Sequence, residues 1–350
     1  MTTKEKIIQL LSENKDEFVS GEDLALKLSL SRAAVWKAIK ALESDGYKIE
    51  AVTNRGYRIC ALPDKLDLGT LAAVSGLESS QVIIFDSIDS TNKEAKRRIV
   101  EGEGAKLHKT LFAAEEQTAG RGRLERKFLS PAKKGVYFTL VYCPRTQVNP
   151  AVMTSAAAVS VCQAVEELYK TGCSVKWVND IFSGGKKIAG ILTEGITNFE
   201  SGTIDAIIVG IGINVLKNEF DGPLSKIAGS IEDACSANRI EFNTAQNKKS
   251  ELIGKVVNKL IQFYDSFYDS TDAKKSEDAV DGMMDEYRRR SFLIDKKVNV
   301  NPVAGTEGKM YRALVRAIDN QAGLVVELED GSQKTLYSGE VSLKSDEFVC

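Results

Sequence analysis

Two glycine-rich, positively charged segments, Gln117–Arg126 and Lys176–Leu192, constrain this chain more than any other feature. The first reads QTAGRGRLER and the second reads KWVNDIFSGGKKIAGIL. Glycine lets a backbone approach a ligand closely and tolerates positive φ, whereas arginine supplies forked donors that match phosphate and carboxylate. The first segment alone is also compatible with a solvated surface loop. Two such segments in one chain favour a fold that closes glycine-rich loops over an anion.

Four further segments complete a pattern that covers almost the whole chain. In sequence order they are Ser90-Thr91-Asn92, Ser130-Pro131, Gly210–Asn214 and Gly339–Leu343. Together with the two glycine-rich segments, they resemble the biotin protein ligases, and specifically the bifunctional ligase–repressors. GRGR and KWVND are the most specific parts of the resemblance. The chain departs from many relatives at Leu124-Glu125, where they carry further arginine or glycine.

The composition limits the domain count, the location and the chemistry of the chain. Its 350 residues and 43% hydrophobic content predict two or three domains with real cores. A net charge of −2 confines any nucleic-acid site to local patches. No CxxC spacing and no apolar signal segment occur, so we expect a cytoplasmic protein without disulfides, structural zinc or a membrane span. The single histidine, His108, excludes histidine triads, and we expect it at the surface.

Residues 1–63 have the pattern of a winged helix-turn-helix domain. Three amphipathic helices are predicted, with Ser20 and Ser31 capping the second and third, and a hairpin follows around Asn54-Arg55-Gly56. From Lys27 to Arg58 the chain has seven basic and three acidic residues. A small helical domain with solvated lysines is the alternative, but the helices and the basic hairpin favour DNA binding, as the resemblance does. The expected DNA-facing residues are Ser31, Arg32, Ala33, Trp36, Lys37 and Arg55.

The remainder of the chain is predicted to have an α+β fold. A catalytic domain that binds biotin and ATP is expected over 64–290, with a large mixed sheet and helices at Ala151–Tyr169 and Glu251–Phe267. Its strands are predicted at Val82–Phe85, Thr110–Ala114, Gly135–Tyr142, Ser174–Trp177, Ile188–Thr193 and Ile204–Ile213. Five short strands separated by turn residues predict a small SH3-like barrel over 291–350. The resemblance implies the same architecture, with a class II synthetase-like catalytic domain.

Lys187 is the predicted catalytic cation. It follows Gly184-Gly185-Lys186 and begins an apolar strand, so Lys186 should point to the opposite face of that strand. Two solvated lysines in a turn are the alternative. Activating a carboxylate by adenylation brings two anions together, and fixed cations and N–H donors should then matter more than acid–base side chains. By resemblance, Lys187 lies between the biotin carboxylate and the α-phosphate of ATP.

The resemblance, together with the donors and acceptors of these side chains, supplies the other expected site residues. Catalysis is expected from Lys187, Arg123 and Asp180, with Mg²⁺ arriving with ATP and no metal cluster built by the protein alone. Biotin is expected at Ser90, Thr91, Asn92, Gln117, Gly120, Arg121, Gly122, Lys187 and Gly190, with Phe128 over its tail. ATP and the adenylate are expected at Arg121, Arg123, Arg126, Asn179, Asp180, Asn214 and Lys344. Taken alone, Ser90 is compatible with a helix cap, Asn179-Asp180 with a turn, and Gly210–Asn214 with a β-bulge or a strand end.

The expected function combines ligation with regulation. The chain should form biotinyl-5′-AMP from biotin and ATP, and transfer biotin to a lysine of the carboxyl carrier domain of a biotin-dependent carboxylase. Operator DNA and a second copy of the chain, paired when the adenylate is bound, are the other expected partners. Three alternatives remain: a ligase whose N-terminal domain does not bind DNA, a ligand-sensing regulator without catalysis, and a lipoyl or octanoyl transferase. The cations and carboxylate of the two segments argue against the second, and the GRGR-then-KWVND series argues against the third.

Overall fold

The computed structural model describes most of the chain. The described residues are 2–14, 17–44, 47–61, 65–197, 203–242, 248–269, 272–301, 310–337 and 340–342, so that Lys344 lies outside them. Within these ranges, no helix is long and apolar enough to cross a membrane.

The N-terminal residues form three helices and a hairpin, as predicted. The elements are α1 (Thr3–Glu13), α2 (Gly21–Leu28), α3 (Arg32–Ser44), β1 (Lys48–Val52) and β2 (Gly56–Ala61). Ser20 Oγ accepts from the N–H of Asp23 at 3.0 Å, and Ser31 Oγ accepts from the N–H of Ala34 at 3.1 Å, so both predicted caps are confirmed. The inward faces of the helices share one apolar core, which includes Ile7, Leu11, Leu24, Val35, Ile39 and Leu42. The opposite faces remain open to solvent.

The centre of the chain forms a seven-stranded mixed sheet in the order β3-β4-β5-β9-β8-β7-β6. The strands are β3 (Val82–Phe85), β4 (Thr110–Ala114), β5 (Gly135–Tyr142), β6 (Ser174–Lys176), β7 (Asp180–Ser183), β8 (Lys186–Thr197) and β9 (Ile204–Asn214). Only β3 and β4 run parallel; the other neighbours are antiparallel. Six of the seven strands were predicted. Strand β7 was missed because four residues between two turn-forming pairs are too few to show a period.

Helices cover both faces of this sheet. They are α4 (Leu68–Ser75), α5 (Thr91–Arg98), α6 (Pro150–Tyr169), α7 (Leu224–Ile227), α8 (Ile231–Ala237), α9 (Lys249–Tyr264) and α10 (Ala273–Arg290). The alanine- and serine-rich α6 is almost wholly buried against one face, together with α9. Helix α5 packs on the opposite face, where Ala95 meets Phe112, Val141 and Ile208. Polar side chains at the start of α5 therefore lie directly above the sheet.

The C-terminal residues form a second, antiparallel sheet. Its strands are β10 (Lys297–Asn301), β11 (Tyr311–Ile318), β12 (Leu324–Glu327), β13 (Gln333–Leu336) and β14 (Glu340–Ser342), in the order β13-β12-β11-β10-β14. The five predicted strands are confirmed, but a closed barrel is not, because the described strands form an open sheet. The indole N–H of Trp177 donates to the carbonyl of Ala322 at 2.8 Å, which ties this sheet to the segment before β7.

Candidate functional site

A cavity of about 260 Å³ opens beside the N-terminus of α5. It brings together most of the predicted site residues, namely Ser90, Thr91, Asn92, Gln117, Arg121, Gly122, Arg123, Arg126, Asn179, Asp180, Lys187 and Gly190. Gly120 and Asn214 do not line it, and Lys344 is outside the described residues. Segments that are separated by up to a hundred residues in sequence thus meet in one place.

One end of the cavity consists of uncharged hydrogen-bonding groups. Ser90 occupies the N-cap position of α5, but its side chain makes no capping hydrogen bond. The backbone N–H of Thr91 donates to Gln117 Oε1 at 2.9 Å, and the Gln117 amide nitrogen donates to Ser130 Oγ at 3.0 Å. The side chains of Thr91 and Gln117 are therefore fixed by the protein itself. We refer to this region, Ser90–Asn92 with Gln117, as the neutral end.

Asn92 is held by residues that the sequence did not indicate. Its amide nitrogen donates to Glu194 Oε2 at 2.8 Å and to the carbonyl of Leu192 at 3.3 Å. Its amide oxygen lies 2.7 Å from the hydroxyl of Thr139, which is fully buried in β5. A buried threonine in an apolar strand and a glutamate near the end of a long strand have ordinary structural explanations, so neither stood out in the sequence.

The other end of the cavity is charged. Lys187 Nζ lies 2.6 Å from Asp180 Oδ1. The neighbouring strands β7 and β8 pair Asp180 with Gly190 and Lys187 with Phe182, so the long lysine side chain reaches along the pair of strands to the carboxylate. Arg123 Nη1 donates to Asn179 Oδ1 at 3.4 Å, and the Asn179 amide nitrogen donates to the carbonyl of Ile191 at 2.8 Å. We refer to Lys187, Asp180, Asn179 and Arg123 as the charged end. The predicted catalytic residues thus lie together.

Lys186 and Lys187 point to different surroundings, as predicted. The ammonium of Lys186 donates to the carbonyls of Ser225 and Lys226, at 2.9 and 2.8 Å, and so holds the end of α7. Only Lys187 of the two lines the cavity. Adjacent lysines therefore have separate tasks, one in the cavity and one in the support of its rim.

The glycine/arginine loop closes on itself through its middle. Leu124 and Glu125 both adopt left-handed backbone conformations, with φ of 53° and 57°, and the N–H of Gly122 donates to the carbonyl of Arg126 at 2.7 Å. The carboxylate of Glu125 pairs with Arg121 at 3.1 Å. The positive φ angles thus fall on Leu124 and Glu125 and not on the two glycines of the segment. This is how the two residues that depart from the family pattern pack.

Phe128 lines the cavity, and three glycines leave space for Phe128 and the residues that follow it. A Cβ on Gly212 would lie 2.3 Å from the Phe128 ring, and a Cβ on Gly190 would lie 3.3 Å from it. A Cβ on Gly120 would lie 2.5 Å from the carbonyl of Phe128 and 2.7 Å from Ser130 Oγ. Gly120 is therefore needed for a close approach of two stretches of the same loop, which explains why it does not line the cavity.

Gly210–Asn214 is a regular part of β9. It pairs with β5 and, up to Ile213, with β8 without a register shift, so it is not a β-bulge and lies in the strand predicted at Ile204–Ile213. Asn214 does end the strand, and its amide nitrogen donates to the carbonyl of Gly229 at 3.0 Å. The expected direct contact of Asn214 with the nucleotide has no support in this geometry, because its side chain holds the segment after α7.

Further residues line the cavity without having been predicted as site residues, among them Lys127, Lys176, Leu224 and Ile227. Leu224 and Ile227 lie on α7 and are 49% and 46% exposed, so they form an apolar wall at the opening. A four-residue helix is too short to show a hydrophobic period, so no sequence pattern predicted this wall.

His108 and the cysteines take no part in this cavity. His108 is half-buried and not at the surface as expected; its Nδ1 accepts from the N–H of Cys143 at 3.1 Å, and burial lowers the pKa of the imidazole. The five described cysteines are free. No group of three or more potential metal ligands occurs within the described parts of the chain.

The predicted DNA-facing residues lie at exposed positions of the N-terminal helices and hairpin. Ser31, Arg32, Ala33, Trp36 and Lys37 are exposed along α3, and Trp36 is 56% exposed although it is a large apolar side chain. The hairpin contributes Arg55, whose guanidinium stacks on the ring of Phe18 at 4.6 Å, while Arg58 stacks on it at 4.7 Å. Arg55 and Trp36 are both exposed, on the hairpin and on α3.

Comparisons with known proteins agree with this architecture. Models of the HTH domain, the biotin/lipoate A/B protein ligase family and the biotin protein ligase C terminal domain match residues 3–58, 84–214 and 299–344, respectively. The bifunctional ligase/repressor BirA of Bacillus subtilis strain 168 is 37% identical over 245 residues, which are 67% of this chain and 72% of that protein. BirA of Bacillus spizizenii is 30% identical over 362 residues, which are 98% of this chain and 99% of that protein.

A solved structure gives the same result for the fold. The biotin protein ligase from Aquifex aeolicus in complex with biotin and ATP superimposes with a TM-score of 0.58 at 25% identity, and covers 75% of this chain and 98% of its own. The helix-turn-helix, the catalytic sheet and the C-terminal sheet are therefore all accounted for by the matches. The chain belongs to the family of bifunctional biotin protein ligase/repressors.

Proposed function

We propose that the cavity joins biotin to ATP, forms biotinyl-5′-AMP, and transfers biotin to a lysine of a biotin carboxyl carrier protein. The observation that carries this proposal is the division of one cavity into a neutral end at Thr91 and Gln117 and a charged end at Lys187 and Asp180. A ureido group is neutral and needs both donors and acceptors, whereas a carboxylate and a triphosphate need cations. The two ends match the two substrates.

The charged end supplies the chemistry of the first step. Lys187 would exchange its contact with Asp180 for the biotin carboxylate and the α-phosphate, which lowers the repulsion between two anions as they approach. The carboxylate oxygen attacks the α-phosphorus, pyrophosphate leaves, and a mixed anhydride forms. The amine of the acceptor lysine then attacks the acyl carbon and releases AMP. Arg121, Arg123, Arg126 and Asn179 would hold the nucleotide, and we infer that Lys344 also approaches it.

Mg²⁺ fits the same end of the cavity. Of the described residues that line it, Asp180 alone carries a carboxylate. Magnesium is usually bound through one or two carboxylates together with substrate phosphates, and not in a cage made by the protein. Asp180 would hold the ion, which supplies charge neutralisation on the phosphates. Asn214 supports the nucleotide site indirectly in this proposal, through its hydrogen bond to Gly229.

The N-terminal domain would bind operator DNA. The exposed face of α3 suits a major groove, and Arg55 at the tip of the hairpin suits the phosphate backbone. Two-fold operators favour two-fold dimers, so we infer that the adenylate orders the glycine/arginine loop and promotes pairing of two copies. An unmodified acceptor would oppose pairing by consuming the adenylate. The domains that carry these tasks would be 1–63, 64–290 and 291–350, with a class II synthetase-like centre, in a cytoplasmic protein.

Mass analysis of the small molecule formed from biotin, ATP and Mg²⁺ tests the catalytic proposal. Biotinyl-5′-AMP should appear and remain bound until an acceptor domain is added, after which the acceptor should gain the mass of one biotinyl group. A lipoyl or octanoyl mass on the acceptor would favour the transferase alternative. A protein that forms no adenylate would contradict the proposal.

Gel shift and sedimentation, with and without biotin plus ATP, test the regulatory proposal. Both the sedimenting mass and the operator affinity should increase when the adenylate forms. Arg55→Ala should weaken DNA binding without changing the rate of ligation. If mass and operator affinity are the same with and without the adenylate, the chain is a ligase without this switch.

A further inference from the structure

The glycine/arginine loop is folded as a short hairpin. Arg121 and Lys127 pair as antiparallel neighbours, and the N–H of Gly122 donates to the carbonyl of Arg126 at 2.7 Å. The N–H of Arg126 donates in turn to the carbonyl of Arg123 at 3.2 Å, which closes the turn. The three arginines line the cavity in this conformation. The hairpin is therefore the form of the loop that presents its cations to a ligand.

The turn of this hairpin depends on two residues in an unfavourable backbone conformation. Leu124 and Glu125 have φ angles of 53° and 57°. In this left-handed region the Cβ of a residue lies too close to the following carbonyl oxygen, and the cost lowers the population of the conformation about tenfold per residue. Glycine has no Cβ and asparagine tolerates the region, but leucine and glutamate have neither advantage. The backbone of the turn thus opposes the hairpin that it closes.

The side chains of the turn do little to offset this strain. Glu125 pairs with Arg121 at 3.1 Å, but the two side chains are 82% and 46% exposed, and an ion pair so open to water stabilises a conformation only slightly. The side chain of Leu124 is 48% exposed. Neither Leu124 nor Glu125 lines the cavity. The backbone conformation of these two residues is therefore the property through which they act on the loop.

We propose that Leu124 and Glu125 keep the hairpin under strain, so that the glycine/arginine loop reopens readily and the adenylate stays bound for a shorter time. The inference rests on the proposed function, because the adenylate is the ligand that the loop would enclose. A ligand that leaves only from the open loop dissociates at a rate proportional to the open fraction. The residence time of the adenylate also sets how long the chain stays in the form that pairs on operator DNA. A strained turn thus lets repression end soon after biotin runs short.

Substitutions in the turn vary the strain and leave the residues that line the cavity in place. Leu124→Asn relieves the strain at one position, and Leu124→Asn combined with Glu125→Gly relieves it at both. Leu124→Val increases it, because a β-branched residue is a true outlier at positive φ. Leu129→Asn is the matched control, since Leu129 is 44% exposed and has no positive φ. Glu125→Gln keeps a side chain of the same shape and removes only the ion pair.

Trypsin measures the open fraction of the loop without any ligand. Cleavage after Arg126, followed by mass analysis of the fragments, requires the hairpin to open, so its rate follows the population of the open loop. Relative to the parent, Leu124→Asn should be cleaved about threefold more slowly and the double variant about tenfold more slowly, whereas Leu124→Val should be cleaved about threefold faster. Leu129→Asn and Glu125→Gln should be cleaved at the rate of the parent.

The dissociation rate of labelled biotinyl-5′-AMP should change in the same order and by the same factors. Each variant is first allowed to form the adenylate from biotin and ATP, and release is then followed by stopped flow. In a gel shift with ATP present, the biotin concentration that gives half-maximal operator binding should fall for Leu124→Asn and rise for Leu124→Val. The two controls should match the parent in both measurements.

Equal cleavage rates across the series would overturn the inference, and so would a graded series of cleavage rates with one common dissociation rate of the adenylate. The full effect in Leu129→Asn would assign it to the loss of an exposed leucine, and the full effect in Glu125→Gln would assign it to the ion pair; either result contradicts the role of strain. A parent that forms no biotinyl-5′-AMP refutes the proposed function, whereas a parent that forms it and shows no graded cleavage refutes the inference alone.

Discussion

The two ends of the cavity hold their side chains by different means. At the neutral end, Ser90 and Thr91 are at most 3% exposed, and both the backbone N–H and the hydroxyl of Thr91 donate to Gln117 Oε1. At the charged end, Lys187 pairs with the carboxylate of Asp180, and both of these side chains are partly exposed to water. Buried networks of neutral groups are rigid, whereas exposed ion pairs are weak and exchange partners. The neutral end is therefore built to select, and the charged end is built to rearrange.

Because of this difference, we expect the binding of biotin and the activation by ATP to depend on separate sets of residues. Changes at the neutral end should affect biotin and leave ATP alone, since the hydrogen bonds there do not extend to Lys187 or Asp180. Changes at the charged end should affect the rate of adenylation and the retention of the adenylate. Each of the following predictions tests whether the separation holds.

The largest effect is expected from Lys187→Ala, which removes the cation from the charged end. Loss of one transition-state donor in a closed site typically lowers a rate about a hundredfold, so adenylate formation should slow by that order. Lys186→Ala is the matched control, since this neighbour lies outside the cavity. Near-parent pyrophosphate release by Lys187→Ala would mean that the charged end does not carry the chemistry.

Gly210→Ala should have the next largest effect, and at the neutral end. The new Cβ would occupy the position of the Asn92 amide. Overpacking of this kind costs about 1–3 kcal/mol, so the KM for biotin should rise about tenfold or more while that for ATP stays the same. Gly195→Ala is the control, because its nearest neighbour, Ile204, is 3.7 Å away. Equal rises in both KM values would contradict the independence of the two ends.

Arg123→Gly should have a smaller effect, on retention of the adenylate. A charge-assisted hydrogen bond contributes roughly 1.5–3 kcal/mol, and the loop keeps Arg121 and Arg126, so the dissociation rate should rise about tenfold or less. Stopped-flow release of labelled adenylate measures this rate. Arg239→Gly, at an exposed position with φ of 56°, is the control. If the dissociation rate and the selectivity for the acceptor lysine are both unchanged, the glycine/arginine loop does not hold the adenylate at the charged end.

The smallest effect concerns Asp89, which precedes the neutral end. Its hydrogen bond to Arg97 lowers the pKa of the carboxyl from 3.8 to about 2. A lowered carboxyl pKa stabilises the fold fully above about pH 4, and this stability is lost as the pH falls towards 2. The pair is partly exposed, so between pH 4 and pH 2 the Tm of the parent should fall only about 1–2 °C more than that of Asp89→Asn. Identical pH profiles would show that this pair does not fix the start of α5.

The sequence predicted the neutral and charged ends unequally. Lys187 and Arg123 lie on glycine-rich segments that suit an anion, and the resemblance to the ligase family supplied their roles and that of Asp180. Thr139 and Glu194 were not found, because their importance comes from strand register across β5, β8 and β9, which no local pattern encodes. The long apolar helix α6 was predicted within one residue and α9 within three, whereas the charged helix α10 and the short β7 and α7 were not predicted.

Three glycines have structural reasons that residue type alone did not reveal. Gly210 and Gly212 lie in β9, within the strand predicted at Ile204–Ile213, and Gly120 lies against its own loop. Each is required because another group passes where a Cβ would be, and sequence alone does not tell which group that is. The prediction of a closed SH3-like barrel is not confirmed, because the described residues form the predicted strands in an open sheet.

The pairing of Lys187 with Asp180 has a consequence for the durability of the enzyme. An activated acyl group reacts with any amine that has a free lone pair, and the proposed reaction brings Lys187 beside the mixed anhydride. An ammonium has no lone pair to offer, and before the substrates bind Lys187 is paired with the Asp180 carboxylate at 2.6 Å. In the proposed reaction it moves from that carboxylate to the anions of the substrates, so the ammonium always has an anionic partner and the intermediate is left for the lysine of another protein.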